Sequence, residues 1–201
     1  MEEIVNLMIQ YHHMKKKTLR QNVKIQRSQL SQKEKQEASA LISEQVLKNF
    51  DLSNKTISIF LPIKQHNELD TFTLVEELQK NTAIKITVPV SDFSDTSLTH
   101  VCLEKNTKLE LNTYGIPEPV NGNSVSPQEI DIVFVPLLAI DKRGYRVGYG
   151  KGFYDRFLSL CKPSTKFVGL NYYDPINTID DINTNDVQLH FLVTPKKCWK
   201  F

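Results

Sequence analysis

The sequence predicts a single α/β domain built on a mostly parallel sheet covered by helices. Short runs rich in β-branched residues alternate with helix-period segments from residue 56 onward, as in strands joined by crossover helices. The 201 residues, 40% of them hydrophobic and 24% charged, have the size and composition of one globular core. No apolar run approaches the ~18 residues that span a bilayer.

Leu19, Val23 and Leu30 recur at helical spacing among Lys15, Lys16, Lys17, Arg20, Lys24 and Arg27, which predicts a basic amphipathic helix. Ser31 and Glu34 form a capping box that opens a second helix, with Ala38, Leu41, Ile42 and Val46 facing the core. Strands are expected at Thr56 to Leu61, Ile84 to Val90, Ile130 to Val135, Lys166 to Leu170 and Leu189 to Thr194. Helices are expected at Asp70 to Lys80 and Phe153 to Cys161. The polar stretch from Ser91 to Gln128 reads as an irregular excursion with one strand near Leu98 to Leu103. Met14, directly before the lysines, is a candidate translation start, which would make residues 1–13 a disordered or miscalled extension to a domain of residues 14–201.

The 25 Lys+Arg and 23 Asp+Glu leave a net charge of +2, too balanced to suggest a nucleic-acid partner. The opening MEEIVNLMIQYHH lacks the basic leader and apolar run of a secretion signal, so a cytoplasmic protein with no membrane partner is expected. The odd, scattered Cys102, Cys161 and Cys198 read as reduced thiols. None of the five histidines has a partner at ligand or triad spacing, and His66 and His190 read as structural or exposed.

Four of the seven glycines fall within Asp141-Lys-Arg-Gly-Tyr-Arg-Val-Gly-Tyr-Gly-Lys-Gly-Phe-Tyr-Asp155. Glycines let successive N–H groups converge on an anion. A helix starting near Phe153 would add its free amides, and Arg146 and Lys151 would add charge for polyphosphate oxygens. Neither a P-loop nor a dinucleotide fingerprint fits, because Tyr145, Gly152 and Phe153 occupy positions that those motifs reserve for other residues. On these residues alone, a glycine-rich turn with solvated basic side chains remains an alternative.

The strand Asp131-Ile-Val-Phe-Val-Pro136 followed by Asp141-x-x-Gly-x-Arg-x-Gly-x-Gly-x-Gly-Phe-Tyr-Asp155 resembles the signature of the 5-formyltetrahydrofolate cyclo-ligase (methenyltetrahydrofolate synthetase) family. The resemblance extends to Lys16-x-x-Leu-Arg20, Ile59-Phe-Leu61 leading to Glu68, Gly115-Ile-Pro-Glu-Pro119, and Asn185-Asp186. The tail Pro195 to Phe201 departs from the short acidic ending more usual in the family.

The resemblance implies a three-layer α/β/α fold and conversion of 5-formyltetrahydrofolate and ATP into 5,10-methenyltetrahydrofolate, ADP and phosphate, with Mg2+. It maps ATP contacts onto Lys16, Arg20, Arg146, Val147, Gly148, Tyr149, Gly150, Lys151, Gly152, Phe153 and Tyr154, with Lys151, Arg146 and Tyr154 as catalytic candidates. It maps folate contacts onto Leu61, Glu68, Tyr149, Gly150, Lys151, Gly152 and Phe153, and metal ligation onto Asp155 and Asp186. Tyr149, Phe153 and Tyr154 are candidates to stack on the pterin or aminobenzoyl rings. Read without the resemblance, Glu68 is a surface-loop carboxylate, Asp155 a capping or salt-bridged residue, and Asp141 a group that orients a loop amide or Arg146. A monomer acting on two small molecules is expected. The rival readings are another ATP or sugar-phosphate enzyme on a similar sheet, and a folate-binding or nucleotide-sensing protein without turnover.

Overall fold

The computed structural model describes residues 14–201. The expected extension at residues 1–13, with the reading of its opening as no secretion signal, lies outside the described residues. Helix α1 (Lys16–Gln29) buries Leu19 and Val23. Helix α2 (Gln32–Asn49) opens on the expected capping box: Glu34 N–H donates to Ser31 Oγ at 3.2 Å and Ser31 N–H to Glu34 Oε2 at 2.8 Å. It buries Ile42 and Val46 and leaves Ala38 and Leu41 half-buried.

The strands that follow are β1 (Thr56–Ile59), β2 (Lys85–Asp92), β3 (Ser97–Cys102), β4 (Leu109–Leu111), β5 (Pro117–Pro119), β6 (Ser124–Val125), β7 (Ile132–Pro136), β8 (Ala139–Ile140), β9 (Arg146–Val147), β10 (Lys166–Leu170), β11 (Phe191–Val193) and β12 (Cys198–Lys200). Helix α3 (Phe72–Leu78) precedes β2, and α4 (Phe153–Ser159) follows β9. Eight strands form one sheet in the order β12-β11-β10-β7-β1-β2-β3-β6. The run from β11 to β2 is parallel, and the pairs β11–β12, β2–β3 and β3–β6 are antiparallel.

Side-chain alternation along a strand sends neighbours to opposite faces, and here both faces are covered. Ile132 and Phe134 of β7 join a core with Leu19, Val23, Ile42, Val46, Leu74 and Leu78 from α1, α2 and α3. Val133 and Val135 join a second core with Phe157 and Leu158 of α4. Two cores on one sheet make the three-layer α/β/α arrangement, and burial on both faces explains the continuous apolar character of β7.

Three departures from expectation matter for the site. The stretch from Ser91 to Gln128 is not irregular: β2 runs on to Asp92, opposite Ser97, and β4 and β5 form a separate hairpin. These antiparallel segments are short or only partly buried, without a regular alternation of buried and exposed positions, so the sequence signal was weak. Strand β1 stops at Ile59, which leaves Phe60 and Leu61 in the connection beyond the sheet. The tail, for which no element was expected, adds β12, where Trp199 pairs with Leu192. Among the described residues, no helix is long and apolar enough to cross a membrane, and all three cysteines are free.

Candidate active site

Phe60 and Leu61 after β1, Pro89 and Ser91 of β2, and Pro136 at the end of β7 open into one cleft of about 1390 Å³. The carboxyl end of a parallel sheet is where open α/β folds place ligands. The glycine-rich segment forms one wall. Asp141 accepts the N–H groups of Arg143 (2.9 Å), Tyr145 (3.1 Å) and Ile179 (3.2 Å), so it shapes the turn between β8 and β9 and leaves Arg146 alone. Val147 is completely buried, and its carbonyl accepts Leu138 N–H at 2.8 Å. Val147, expected among the ATP contacts, pins the loop's base into the core and is absent from the cleft lining.

Beyond that anchor, the backbone amides of Tyr149, Gly150, Lys151 and Gly152 donate no hydrogen bond among the described residues. Four consecutive free N–H groups beside a cleft suit an anion. Gly150 has φ +101, a conformation that side chains disfavour. Gly148 has no such need, and a Cβ added there would meet nothing within 4 Å. The space that its missing side chain leaves is open cleft, where a ligand can approach the backbone closely.

Helix α1 flanks this wall. Arg20 Nε donates to the Gly148 carbonyl at 2.8 Å, and Lys16 Nζ forms an ion pair with Asp186. Lys151 is exposed at the loop's crest. Arg146, expected to face phosphate oxygens, lines the cleft and is already bonded there: it donates to Asp155 Oδ1 at 2.7 Å and to the Val187 carbonyl at 2.6 Å, with 5% of its side chain accessible. Burial pushes its pKa down, while Asp155 and then Asp186 hold its proton on. Arg146 therefore fixes Asp155 at the cleft wall. Tyr154 also lines the cleft, but its hydroxyl is buried without a partner among the described residues, and burial raises its pKa.

Asp155 and Asp186 come together around Arg146. Asp155 takes Arg146 and Val187 N–H on Oδ1, and Asp186 takes Lys16 and Asn183 N–H on Oδ2. Two hard-oxygen donors in a cleft able to admit phosphates fit the magnesium preference for one or two carboxylates supplemented by water and substrate. Among the described residues there is no preformed cluster of three or more metal-binding side chains. The donor set is thus adequate for magnesium only together with a ligand's oxygens.

Glu68 is buried, contrary to its reading as a surface-loop residue. It accepts Ile63 N–H at 2.7 Å on Oε2 and the Tyr149 hydroxyl at 2.5 Å on Oε1. Burial raises its pKa above the usual carboxylate value, against the lowering effect of these two bonds and of Arg27. The Tyr149 bond brings the glycine loop and the segment after β1 into contact across the cleft. His66, read as structural or exposed, stacks on Tyr149 with ring centroids 5.0 Å apart. Burial, then Lys24 and Arg27, lower the His66 pKa and favour the neutral ring. Phe93, Tyr114 and Phe153 build a second aromatic wall, with Phe93 3.7 Å from Tyr114 and 5.1 Å from Phe153 between centroids. Leu61 borders the same cleft. Phe93 and Tyr114 escaped the sequence reading because they sit in the stretch taken as irregular; His66 carried one signal, its place just past a strand end.

An open, mostly parallel sheet with one large cleft at its carboxyl end, walled by a glycine-rich loop, defines an α/β protein with a candidate ligand-binding site. The sequence model of the 5-formyltetrahydrofolate cyclo-ligase family matches residues 12–195. The chain is 31% identical over 150 residues to the 5-formyltetrahydrofolate cyclo-ligase of Escherichia coli (strain K12), covering 73% of this chain and 81% of that one. It is 30% identical over 154 residues to that of Mus musculus, covering 73% and 74%. The NMR structure of Aquifex aeolicus 5,10-methenyltetrahydrofolate synthetase superposes with a TM-score of 0.75 at 29% identity, covering 92% of each chain. The chain belongs to the 5-formyltetrahydrofolate cyclo-ligase family.

Proposed function

We propose that the protein uses ATP to close the N5–N10 bridge of 5-formyltetrahydrofolate, giving 5,10-methenyltetrahydrofolate, ADP and phosphate. One observation carries the reading: a loop of free amides and a buried carboxylate share a single cleft and are joined through Tyr149. The first suits a triphosphate, and the second suits the N–H donors of a pterin.

A formamide carbon is a poor electrophile and its oxygen a poor leaving group. The formyl oxygen attacks the γ-phosphorus, the bond to ADP breaks, and the oxygen leaves as phosphate once N10 has attacked the formyl carbon. Such transfer needs alignment and charge neutralisation more than a protein nucleophile. The amides of residues 149–152, with Lys151, Lys16 and Arg20, would hold the phosphates. Glu68 and Leu61 would hold the pterin, and Tyr149, Phe153 and Tyr154 are the aromatic candidates to stack on folate rings. Asp155 and Asp186 would hold magnesium, which when bound supplies positive charge to the phosphate oxygens.

The test is the absorbance of the methenyl product with purified protein, 5-formyltetrahydrofolate, ATP and magnesium. An ATP-dependent rise matched by phosphate release is expected. Tight folate binding without phosphate release would overturn the reading in favour of a binding protein. Phosphate release that ignores the folate would favour another ATP enzyme.

A further inference from the structure

Arg156 of α4 takes no part in the proposal above, yet it touches the loop that does. Its Nη2 donates to the Lys151 carbonyl at 2.9 Å and to Thr96 Oγ1, and its Nε donates to the Thr96 carbonyl at 3.3 Å. Thr96 closes the turn between β2 and β3 with φ 60. A β-branched residue in the left-handed region is an outlier, and such strain persists only where surrounding contacts hold it. The same turn carries Phe93, which packs edge-on against Phe153 at the start of α4.

A trans peptide is planar, with its C=O and the following N–H pointing in opposite directions. Engaging the Lys151 carbonyl with Arg156 therefore turns the Gly152 N–H to the other side of that peptide. At the loop's other end Arg20 does the same, taking the Gly148 carbonyl and so orienting the Tyr149 N–H. Two arginines from separate helices thus grip two carbonyls that would otherwise be free to turn their negative ends toward an anion.

We propose that Arg156, held by the strained Thr96 at the tip of the β2–β3 hairpin, is a positioning residue that fixes the Lys151–Gly152 peptide for a nucleotide's phosphates. This rests on the reading of the loop given under Proposed function. An exposed arginine contributes little to stability, so its effect should appear in nucleotide use.

The experiment compares KM for ATP, KM for 5-formyltetrahydrofolate and melting temperature in the wild type, Arg156→Met, Arg156→Lys and Thr96→Gly. Arg156→Met should raise KM for ATP about fivefold, the worth of one ordinary hydrogen bond, with KM for the folate unchanged. Arg156→Lys, able to donate to the Lys151 carbonyl, should recover part of that loss. Thr96→Gly should melt no lower than wild type, because glycine accepts the positive φ, yet still raise KM for ATP. An unchanged ATP KM in Arg156→Met, equal rises for both substrates, or a Thr96→Gly variant that loses stability and both affinities together would overturn the inference alone. A wild type that shows no ATP-dependent turnover would remove the underlying reading as well.

Discussion

Replacing Glu68 by glutamine tests the proposed folate side of the cleft with little steric change. The carboxylate accepts Ile63 N–H on one oxygen and the Tyr149 hydroxyl on the other. The amide oxygen of glutamine can keep the Ile63 bond, and its NH2 can donate to the Tyr149 oxygen once that hydroxyl turns round. The fold should therefore lose less than about 1 kcal/mol. The pterin, by contrast, would lose charge-assisted bonds worth about 1.5–3 kcal/mol, which is roughly a 10- to 150-fold rise in KM for 5-formyltetrahydrofolate. KM for ATP should stay put.

The stability profile carries a second sign. Because burial raises the folded pKa of Glu68 above its ordinary 4.5, the native state holds this proton longer than the unfolded chain does. Native stability therefore falls as pH rises from the unfolded pKa through the folded one. Glu68→Gln should remove that slope. Steady-state methenyl absorbance together with thermal melts at several pH values reads both effects. An unchanged folate KM, or a collapse of stability with both KM values rising, would refute the reasoning.

Gly148→Ala should leave stability unchanged or slightly raised, since its Cβ meets nothing within 4 Å and φ is not positive, while titration with ATP shows weaker binding. Asp155→Asn should lower turnover and also cost about 1–3 kcal/mol in denaturant melts, because it leaves the buried Arg146 guanidinium facing a neutral amide oxygen in place of a charge. His100 is buried against Phe157 with neither ring nitrogen bonded among the described residues, and its pKa falls to about 3. The unfolded chain takes up this proton first as pH drops below its ordinary value of 6.5. Stability should then fall by about 1.4 kcal/mol per pH unit, and acid unfolding curves of His100→Leu should be flatter there.

What the sequence disclosed and what it hid divide along physical lines. Ser31 with Glu34 and the alternation along β7 are local signals, and both led to the right elements. The glycine cluster was legible because so many glycines in one short stretch need an explanation, though letters alone could not reveal that Val147 faces the core while Gly148 faces open space. Glu68 and Tyr149 lie far apart in the chain and meet only through the sheet's topology, so no spacing rule joins them. The partners of Arg146 were hidden for the same reason, since Val187 approaches it from the connection after β10. The strained Thr96 had no sequence signal: a threonine in a polar turn looks ordinary until its backbone is seen.

The central claim is that the formyl oxygen and the triphosphate meet in one cleft, and isotope transfer tests it most directly. With 5-formyltetrahydrofolate carrying oxygen-18 in the formyl group, the released phosphate should contain the label in proportion to methenyl product formed. Unlabelled phosphate, with the heavy oxygen found in water, would contradict the account.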